Sequence, residues 1–249
     1  MTVIKSRVIT TLLWDGKFLV KGRCFAHRRR VCSMMQAVRV CDRRDIDELV
    51  ILDVAATPDR RSPKFAELKE FTGECFMPVA IGGGVRTLEH IRQLLLAGAD
   101  KAVIGSALFD RDLIREASKR FGAQAVVAAI DVLDGKVVTE CGKKINDITP
   151  LAMARQAVED GAGEIILTSI PHDGGESGFD RVLIAEISRA VEVPVIAAGG
   201  AGEYGHLLDA FNAGADAVAV GAGFLFSGMT PQGARRYLHD NGVNTRLPL

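Results

Sequence analysis

Glycine-rich segments that could bind phosphate occur twice in this sequence at one fixed spacing. The first copy recurs 116 positions later, and the matching pairs are Gly83 and Gly199, Gly84 and Gly200, Gly105 and Gly221, and Ser106 and Ala222. Because glycine has no Cβ atom, backbone N–H groups in such segments can approach an anion closely, and the N-terminus of a following helix adds attraction. The same glycines could serve only to make tight turns. Two symmetric copies favour a substrate with a phosphate at each end.

The elements that must carry these segments follow the same repeat. Eight short apolar runs are each followed by an amphipathic segment, the pattern of buried parallel strands alternating with helices. The runs are Val8–Leu13, Leu49–Val54, Pro78–Ile81, Ala102–Gly105, Ala125–Asp131, Ile165–Ile170, Val193–Ala198 and Ala217–Gly221. Such a series could form an open doubly wound sheet or a closed barrel. A repeat of nearly half the chain favours a single α/β domain over 1–249, a (β/α)8 barrel with halves of about 1–121 and 122–249.

Asp131 ends the fifth predicted strand. In a (β/α)8 barrel the chemistry takes place at the carboxyl ends of the strands, where the loops also bind phosphate. A carboxylate in that position could transfer protons to and from a substrate. The alternative is a structural role as a cap for the following loop. Asp131 is therefore a candidate catalytic residue.

Charged residues begin four of the predicted strands: Arg7 the first, Glu48 the second, Lys101 the fourth and Glu164 the sixth. Side chains at strand starts converge on the bottom opening of a barrel, so two charges of each sign could neutralise one another in a ring. A paired ring is tolerable where an isolated buried charge is not. Four unrelated surface ion pairs are the alternative.

Composition narrows the class of protein. The 249 residues contain 31 Lys plus Arg and 31 Asp plus Glu, so no overall field attracts nucleic acid or an anionic membrane. The five cysteines form no CxxC pair, which argues for reduced thiols rather than disulfides or a zinc site. We expect no metal and no cofactor. The sequence has no signal peptide pattern and no long apolar span, so a cytoplasmic protein is expected.

Nearly the whole chain resembles the cyclase subunit of imidazole glycerol phosphate synthase, a barrel of histidine biosynthesis. The segments that carry the resemblance are RVITTLL…VKG, DELVILDVAAT, VAIGGGV, AGADKAVIGSA, FGAQAVVAAID, GAGEIILTSI, DGGESGFD, AAGGAG and GVNTRL. The resemblance implies a glutaminase partner on the bottom of the barrel and a bis-phosphorylated ribulosyl substrate. It also implies that Arg7, Glu48, Lys101 and Glu164 form the gate through which ammonia enters, with Asp100 on the docking surface.

Some residues of the family's cyclase site are present in this sequence, and others are replaced. Asp131 matches one of the family's two catalytic aspartates, whereas Leu13 stands at the position of the other. Asp15 lies two residues further along the first strand and could replace it after a local shift, since alternate residues of a strand share a face. Asp15 is therefore a second candidate catalytic residue. Lys21 matches a loop lysine near the substrate phosphate, and Asp173 and Gly174 match an active-site segment. Gly105 and Ser106 replace the family's asparagine and threonine.

The missing aspartate leaves several functions open. The chain could be a diverged paralogue associated with sugar amidation in surface-polysaccharide pathways, which the run Glu74–Pro78 and the pair Leu12-Leu13 also resemble. Its barrel would then deliver ammonia to an N-sugar amidotransferase. An orthodox cyclase is the alternative, and the sister isomerase of histidine biosynthesis or a barrel without chemistry are weaker ones. The run Arg28-Arg29-Arg30 is expected to be a solvated loop that could contact a substrate phosphate.

Overall fold

Parallel strands close into a barrel in the computed structural model, which describes residues 5–247. The strands are β1 (Arg7–Trp14), β2 (Phe18–Arg23), β3 (Ala26–Ser33), β4 (Glu48–Asp53), β5 (Val79–Gly82), β6 (Lys101–Ile104), β7 (Val126–Leu133), β8 (Lys136–Thr139), β9 (Lys144–Ile145), β10 (Glu164–Ser169), β11 (Val195–Ala198) and β12 (Ala217–Val220). Strands β1, β4, β5, β6, β7, β10, β11 and β12 pair in that order, and β12 pairs with β1 to close the ring. The predicted (β/α)8 barrel is confirmed. The ends of the expected domain, 1–4 and 248–249, lie outside the described residues.

Helices follow the barrel strands and cover the outside of the sheet. They are α1 (Met34–Arg43), α2 (Phe65–Thr72), α3 (Leu88–Leu96), α4 (Arg111–Phe121), α5 (Pro150–Glu159), α6 (Arg181–Ser188), α7 (Tyr204–Asn212), α8 (Ala222–Phe226) and α9 (Pro231–Asp240). Local sequence explains several of their starts. The hydroxyls of Thr87 and Thr149 accept the N–H groups of His90 and Ala152, and proline occupies the first helical position of α5. No helix within 5–247 is long and apolar enough to cross a membrane.

Two apolar layers hold the barrel together. The larger one lies between the sheet and the helices, and it includes Leu12, Leu49, Ile91 and Ile184, which are all buried. The smaller one fills the inside of the barrel with side chains such as Ile9 and those of Val50, Val103, Val127, Ile166 and Ile196. Strands with both faces in apolar layers read as continuous apolar runs. That is why the sequence located all eight barrel strands.

Two β-hairpins were absent from the sequence-based prediction. Strands β2 and β3 form an antiparallel pair after β1, and β8 and β9 form a smaller one after β7. The expectation of a loop at Arg28–Arg30 is wrong, because these residues lie in β3. Nearly every residue of β3 is exposed, so the strand has no buried face and shows no alternation of apolar residues. Its hydrogen bonds to β2, rather than apolar burial, define it.

The structural contacts repeat with the sequence. The Asp100 carboxylate accepts the N–H of Val79 at 2.8 Å, and the Asp216 carboxylate accepts the N–H of Val195 at 2.9 Å. Each bond joins the start of one strand to the loop before the next. Both partners of the second bond lie 116 residues beyond those of the first, so the two halves share contacts as well as sequence.

Candidate active site and charged ring

A large cavity opens at the carboxyl ends of the barrel strands. It is lined by twelve of the thirteen site residues expected there, all but Asp15: Lys21, Gly83, Gly84, Gly105, Ser106, Asp131, Asp173, Gly174, Gly199, Gly200, Gly221 and Ala222. Each glycine segment directly follows a strand, so backbone rather than side chains forms opposite walls of the cavity. The structure therefore brings the two glycine copies and one candidate catalytic carboxylate to the same mouth.

Glycine is required at these positions by both conformation and space. Gly83 and Gly84 have φ angles of +106° and +72°, and Gly199 and Gly200 have +80° and +119°. Residues other than glycine rarely adopt such φ values. A Cβ atom on Gly83 would lie 2.2 Å from the Asp53 carbonyl oxygen, and one on Gly200 would lie 2.0 Å from the Gly178 carbonyl oxygen. Glycine here lets the loops pack against neighbouring backbone beside the cavity.

Replacing Gly200 with alanine is expected to destabilise the protein by about 3 kcal/mol, since the new methyl group combines backbone strain with a clash against main chain. The matched control is Gly135→Ala, because Gly135 also has a positive φ, +72°, but has open space where the Cβ would go. We expect that control to lose only about 1 kcal/mol. Urea unfolding curves measure both. Equal losses in the two variants would show that the packing of this loop is not tight.

Asp131 lies at the carboxyl end of β7 with its side chain on the cavity. Burial raises the pKa of Asp131 to about 7, the nearby Asp173 carboxylate adds to the rise, and a hydrogen bond from Thr168 opposes it. Burial also raises the pKa of Asp173. The backbone N–H of Phe25 and the charges of Arg28 and Lys21 lower it by a smaller amount. A carboxyl group that titrates near neutral pH can give and take a proton during a reaction.

The raised pKa predicts a pH-dependent stability for Asp131→Asn. The folded protein holds this proton more tightly than the unfolded chain, so wild-type stability falls as the pH rises from the ordinary value of 3.8 to about 7. Asparagine does not titrate. The variant is therefore expected to gain stability over wild type across that window, reaching on the order of 2 kcal/mol at pH 8 after allowance for cavity water.

Thermal melts at pH 4, 6 and 8 test this, with Asp240→Asn at the exposed end of α9 as the control for loss of one charge. A difference between Asp131→Asn and wild type that stays constant over the series would contradict the raised pKa.

The candidate Asp15 does not lie in the cavity. Its carboxylate accepts the N–H groups of Lys17 and Phe18 at 2.9 and 2.7 Å, and it pairs with Arg30 at 3.2 Å. These contacts close the turn between β1 and β2, and they hold the pKa of Asp15 below its usual value against the effect of partial burial. The expectation that Asp15 moves into the site is not supported, because the hairpin already uses its carboxylate. Leu13 lines the cavity instead.

The hairpin of β2 and β3 lies across one side of the mouth. Lys21 pairs with Glu176 at 3.0 Å, and its ammonium lies 4.5 Å from the centre of the Phe226 ring. The Cys24 N–H donates to the Asp173 carbonyl oxygen at 2.9 Å. Lys21 is thus placed between the segment after β10 and the short helix that follows Gly221.

Several cavity residues were missed by the sequence analysis. Asp53 ends β4, where it accepts two hydrogen bonds of 2.7 Å from Arg61. The rule that selected Asp131, a carboxylate at the carboxyl end of a strand, would also have selected Asp53. Cys141, in the turn of the second unpredicted hairpin, had no sequence signal. Arg28 was expected as a possible phosphate contact, and it lines the cavity, where it donates to the Val54 carbonyl oxygen at 3.0 Å. Within 5–247, no cluster of histidine, cysteine and carboxylate side chains could hold a metal ion.

At the other end of the barrel the four strand-start charges form a closed ring. Arg7 contacts Glu48 and Glu164 at 2.6 Å each, and Lys101 contacts the same two carboxylates at 2.9 and 2.7 Å. Each charge thus has two partners of opposite sign. The Glu48 side chain is only 3% exposed, so its charge depends on these partners rather than on water. The alternative of four unrelated surface pairs is wrong.

One layer of side chains separates this ring from the cavity. Alternate residues of a strand face the same side, so Val50, Val103 and Ile166 follow Glu48, Lys101 and Glu164 on the inner face. The same three apolar residues line the cavity. Val50, Val103 and Ile166 therefore lie between the ring charges and the cavity at the carboxyl ends.

Comparisons with known proteins agree with this arrangement. Residues 9–230 match the family described as histidine biosynthesis protein. A Myxococcus xanthus protein named imidazole glycerol phosphate synthase subunit HisF is 39% identical over 250 residues, covering 98% of this chain and 99% of its own. A provisionally named subunit hisF2 of the same synthase from Pseudomonas aeruginosa is 39% identical over 233 residues, covering 91% and 93%. The HisF subunit of Pelodictyon phaeoclathratiforme is 38% identical over 252 residues, covering 98% and 100%.

Proposed function

The chain belongs to the histidine biosynthesis protein family as a HisF-like barrel, and we propose that it is the ammonia-accepting subunit of a cytoplasmic glutamine amidotransferase. A glutaminase partner would dock on the face that carries Arg7, Glu48, Lys101 and Glu164. Ammonia would pass through this ring and the apolar layer to the cavity at the opposite end. The observation that carries the proposal is the closed ring of four charges directly beneath the cavity.

The ring has the properties that a gate for ammonia requires. Its charges cancel, so an ion gains little by entering, while its hydrogen-bonding groups offer partners to a small polar molecule. Opening requires only that one of the four contacts lengthens, because each residue keeps a second partner. The apolar side chains of Val50, Val103 and Ile166 beyond it favour neutral ammonia over hydrated ammonium.

Delivery of ammonia to another acceptor, rather than ring closure within this barrel, is the version that the cavity favours. Ring closure in the family uses two carboxylates, and this cavity presents Asp131 on β7 but Leu13 on β1. Leucine cannot transfer a proton, and Asp15 is held in the hairpin turn. The proposed acceptor is an N-sugar amidotransferase of surface-polysaccharide biosynthesis. The relative named hisF2 in Pseudomonas aeruginosa, 39% identical to this chain, fits a paralogue within the family.

The glycine segments support retention of a phosphorylated ligand at the mouth. Their backbone lines opposite walls of the cavity, and Lys21 lies beside the segment that follows β12. Segments of this kind suit phosphate because backbone N–H groups can reach its oxygens without interference from a side chain. We expect this ligand to regulate or accompany ammonia delivery. Neither nucleic acid nor membrane has a place in the proposal.

An orthodox cyclase that makes imidazole glycerol phosphate is the second candidate. The observation in its favour is the pKa of about 7 at Asp131, which suits proton transfer. Asp131 serving in turn as acid and base could support slow ring closure.

The decisive experiment mixes the purified protein with a glutaminase subunit of the synthase type, glutamine and the ribulosyl formimino substrate. Glutamate and imidazole glycerol phosphate are measured in the same samples. Stimulated glutamate release without the imidazole product is the expected result. Product formation that disappears in Asp131→Asn would establish the cyclase and overturn the delivery version. Glutaminase activity that the barrel does not change would overturn the amidotransferase assignment itself.

A further inference from the structure

Two histidines occupy the same place in the two halves of the barrel. His90 is the third residue of α3 and His206 is the third residue of α7, and they lie 116 positions apart. Both helices begin directly after a glycine segment of the cavity wall. Neither histidine lines the cavity, so neither has a direct part in the proposed function.

Each ring reaches back to the backbone of the glycine segment. His206 Nδ1 accepts the N–H of Gly202 at 3.2 Å, and His90 Nδ1 accepts the N–H of Arg86 at 3.3 Å. The Gly202 donor lies two residues after Gly200, and the Arg86 donor lies two residues after Gly84. Each donor directly precedes the N-cap residue of its helix. The bond therefore joins the end of the segment to the first turn of the helix.

The second nitrogen of each ring also lies near a polar group. His206 Nε2 lies 3.6 Å from the Glu203 carboxylate, and His90 Nε2 lies 3.2 Å from the Ser62 hydroxyl. For His206 Nδ1 to accept the Gly202 N–H, the proton of the neutral ring must reside on Nε2, on the side of Glu203. His90 Nδ1 lies 3.2 Å from the Gly84 carbonyl oxygen as well as 3.3 Å from the Arg86 nitrogen, so either tautomer of this ring bonds to the backbone of its own turn.

A glycine-rich loop gains from such a bond more than an ordinary loop does. Glycine allows many backbone conformations, and ordering them around a ligand costs conformational entropy at the moment of binding. A bond made in the free protein removes part of that cost. The arrangement resembles a capping box, in which the third residue of a helix bonds back to the N-terminal backbone, extended by one residue into the loop.

We propose that His206 and His90 are positioning residues, which hold the two glycine segments of the cavity wall in the conformation that binds phosphate. The inference rests on the proposed function, because it takes these segments to be phosphate sites. Each histidine serves its own half of the barrel. Loss of one is expected to weaken one phosphate site and leave the other as it was.

The test uses inorganic phosphate as the probe and the intact chain, titrated by calorimetry and by phosphorus NMR. His206→Leu removes the acceptor, whereas His206→Asn keeps an oxygen at nearly the position of Nδ1. We expect His206→Leu to weaken one of two phosphate sites about tenfold and His206→Asn to stay within about twofold of wild type. His239→Leu on the exposed side of α9 is the control for loss of a histidine. His90→Leu should weaken the other site.

The rescue by asparagine separates positioning from general stability. A merely structural histidine would lower the melting temperature in both variants without a selective effect on one site. Two unchanged sites in a folded His206→Leu variant, or equal weakening by leucine and asparagine, would overturn the inference alone. A wild-type protein that binds no phosphate at millimolar concentration would instead overturn the phosphate part of the proposed function. Stimulation of the glutaminase is measured separately, and it tests the amidotransferase assignment whatever the phosphate titrations show.

Discussion

Ring closure is expected to rise at least about 100-fold when Leu13 is replaced by aspartate. Leu13 lines the cavity near the end of β1, where it pairs in register with Leu52 of β4. The substitution places a carboxylate on β1 in the cavity that already presents Asp131 on β7, besides Asp53 and Asp173. Proton transfer by a positioned side chain contributes about 100- to 10,000-fold to a reaction rate. Imidazole glycerol phosphate formation, with glutaminase and substrate supplied, measures the gain.

Leu13→Asn is the matched control, since asparagine has the shape of aspartate but cannot transfer a proton. It should leave ring closure at the wild-type level. Because the new aspartate faces apolar neighbours such as Leu52, we also expect a loss of about 1–3 kcal/mol in folding stability in both variants. A folded Leu13→Asp variant with no gain would mean that more than the missing aspartate separates this cavity from that of a cyclase.

Glu48→Gln is expected to destabilise the protein by about 3 kcal/mol and to lower its Tm by about 6–12 °C. Glu48 accepts from both Arg7 and Lys101, and its side chain is almost fully buried. Neutralising it leaves two cations with Glu164 as their shared partner in the ring. Removing one member of a buried ion pair costs far more than the pair itself contributes, because the remaining charge has lost its compensation.

The control for Glu48→Gln is Glu159→Gln, which removes a carboxylate that lies 3.6 Å from Arg111 and is 71% exposed. Arg111 keeps its closer pair with Asp160 at 2.7 Å when Glu159 is neutralised, so we expect a change below about 0.5 kcal/mol. The two variants should also differ in how closely glutamine hydrolysis is coupled to ammonia delivery. Glu48→Gln is expected to reduce the fraction of glutamine nitrogen delivered through the barrel, measured with ¹⁵N-labelled glutamine against unlabelled ammonium. Similar melting temperatures for the two variants would contradict a ring that is buried and mutually dependent.

Strands and repeat were readable from the sequence because they depend on local pattern. A barrel strand is buried on both faces, so its apolar run stands out without knowledge of its neighbours. The hairpin strand β3 has no buried face, and its arginines resemble a solvated loop. Its backbone pairing with β2 depends on a partner strand and leaves no apolar period in the sequence.

The catalytic candidates show the same division. Asp131 could be identified because the carboxyl end of a barrel strand is a catalytic position whatever the rest of the fold does. Asp15 has the right residue type and the right strand parity, yet its carboxylate closes the hairpin turn. Whether the Asp15 carboxylate closes the turn or enters the cavity depends on backbone geometry. The spacing of residues in the sequence does not specify that geometry.

Residue types and spacing by themselves determined the eight-stranded barrel, the two glycine segments and the strand-start charges, and the resemblance to the cyclase family added that Leu13 replaces an aspartate. Only the tertiary structure decided that four charges distant in sequence meet in one ring, since each lies on a different strand and sheet closure alone brings them together. It also decided the pKa of Asp131, because burial and the neighbouring Asp173 act through space. Local pattern specifies elements; contacts between elements specify chemistry.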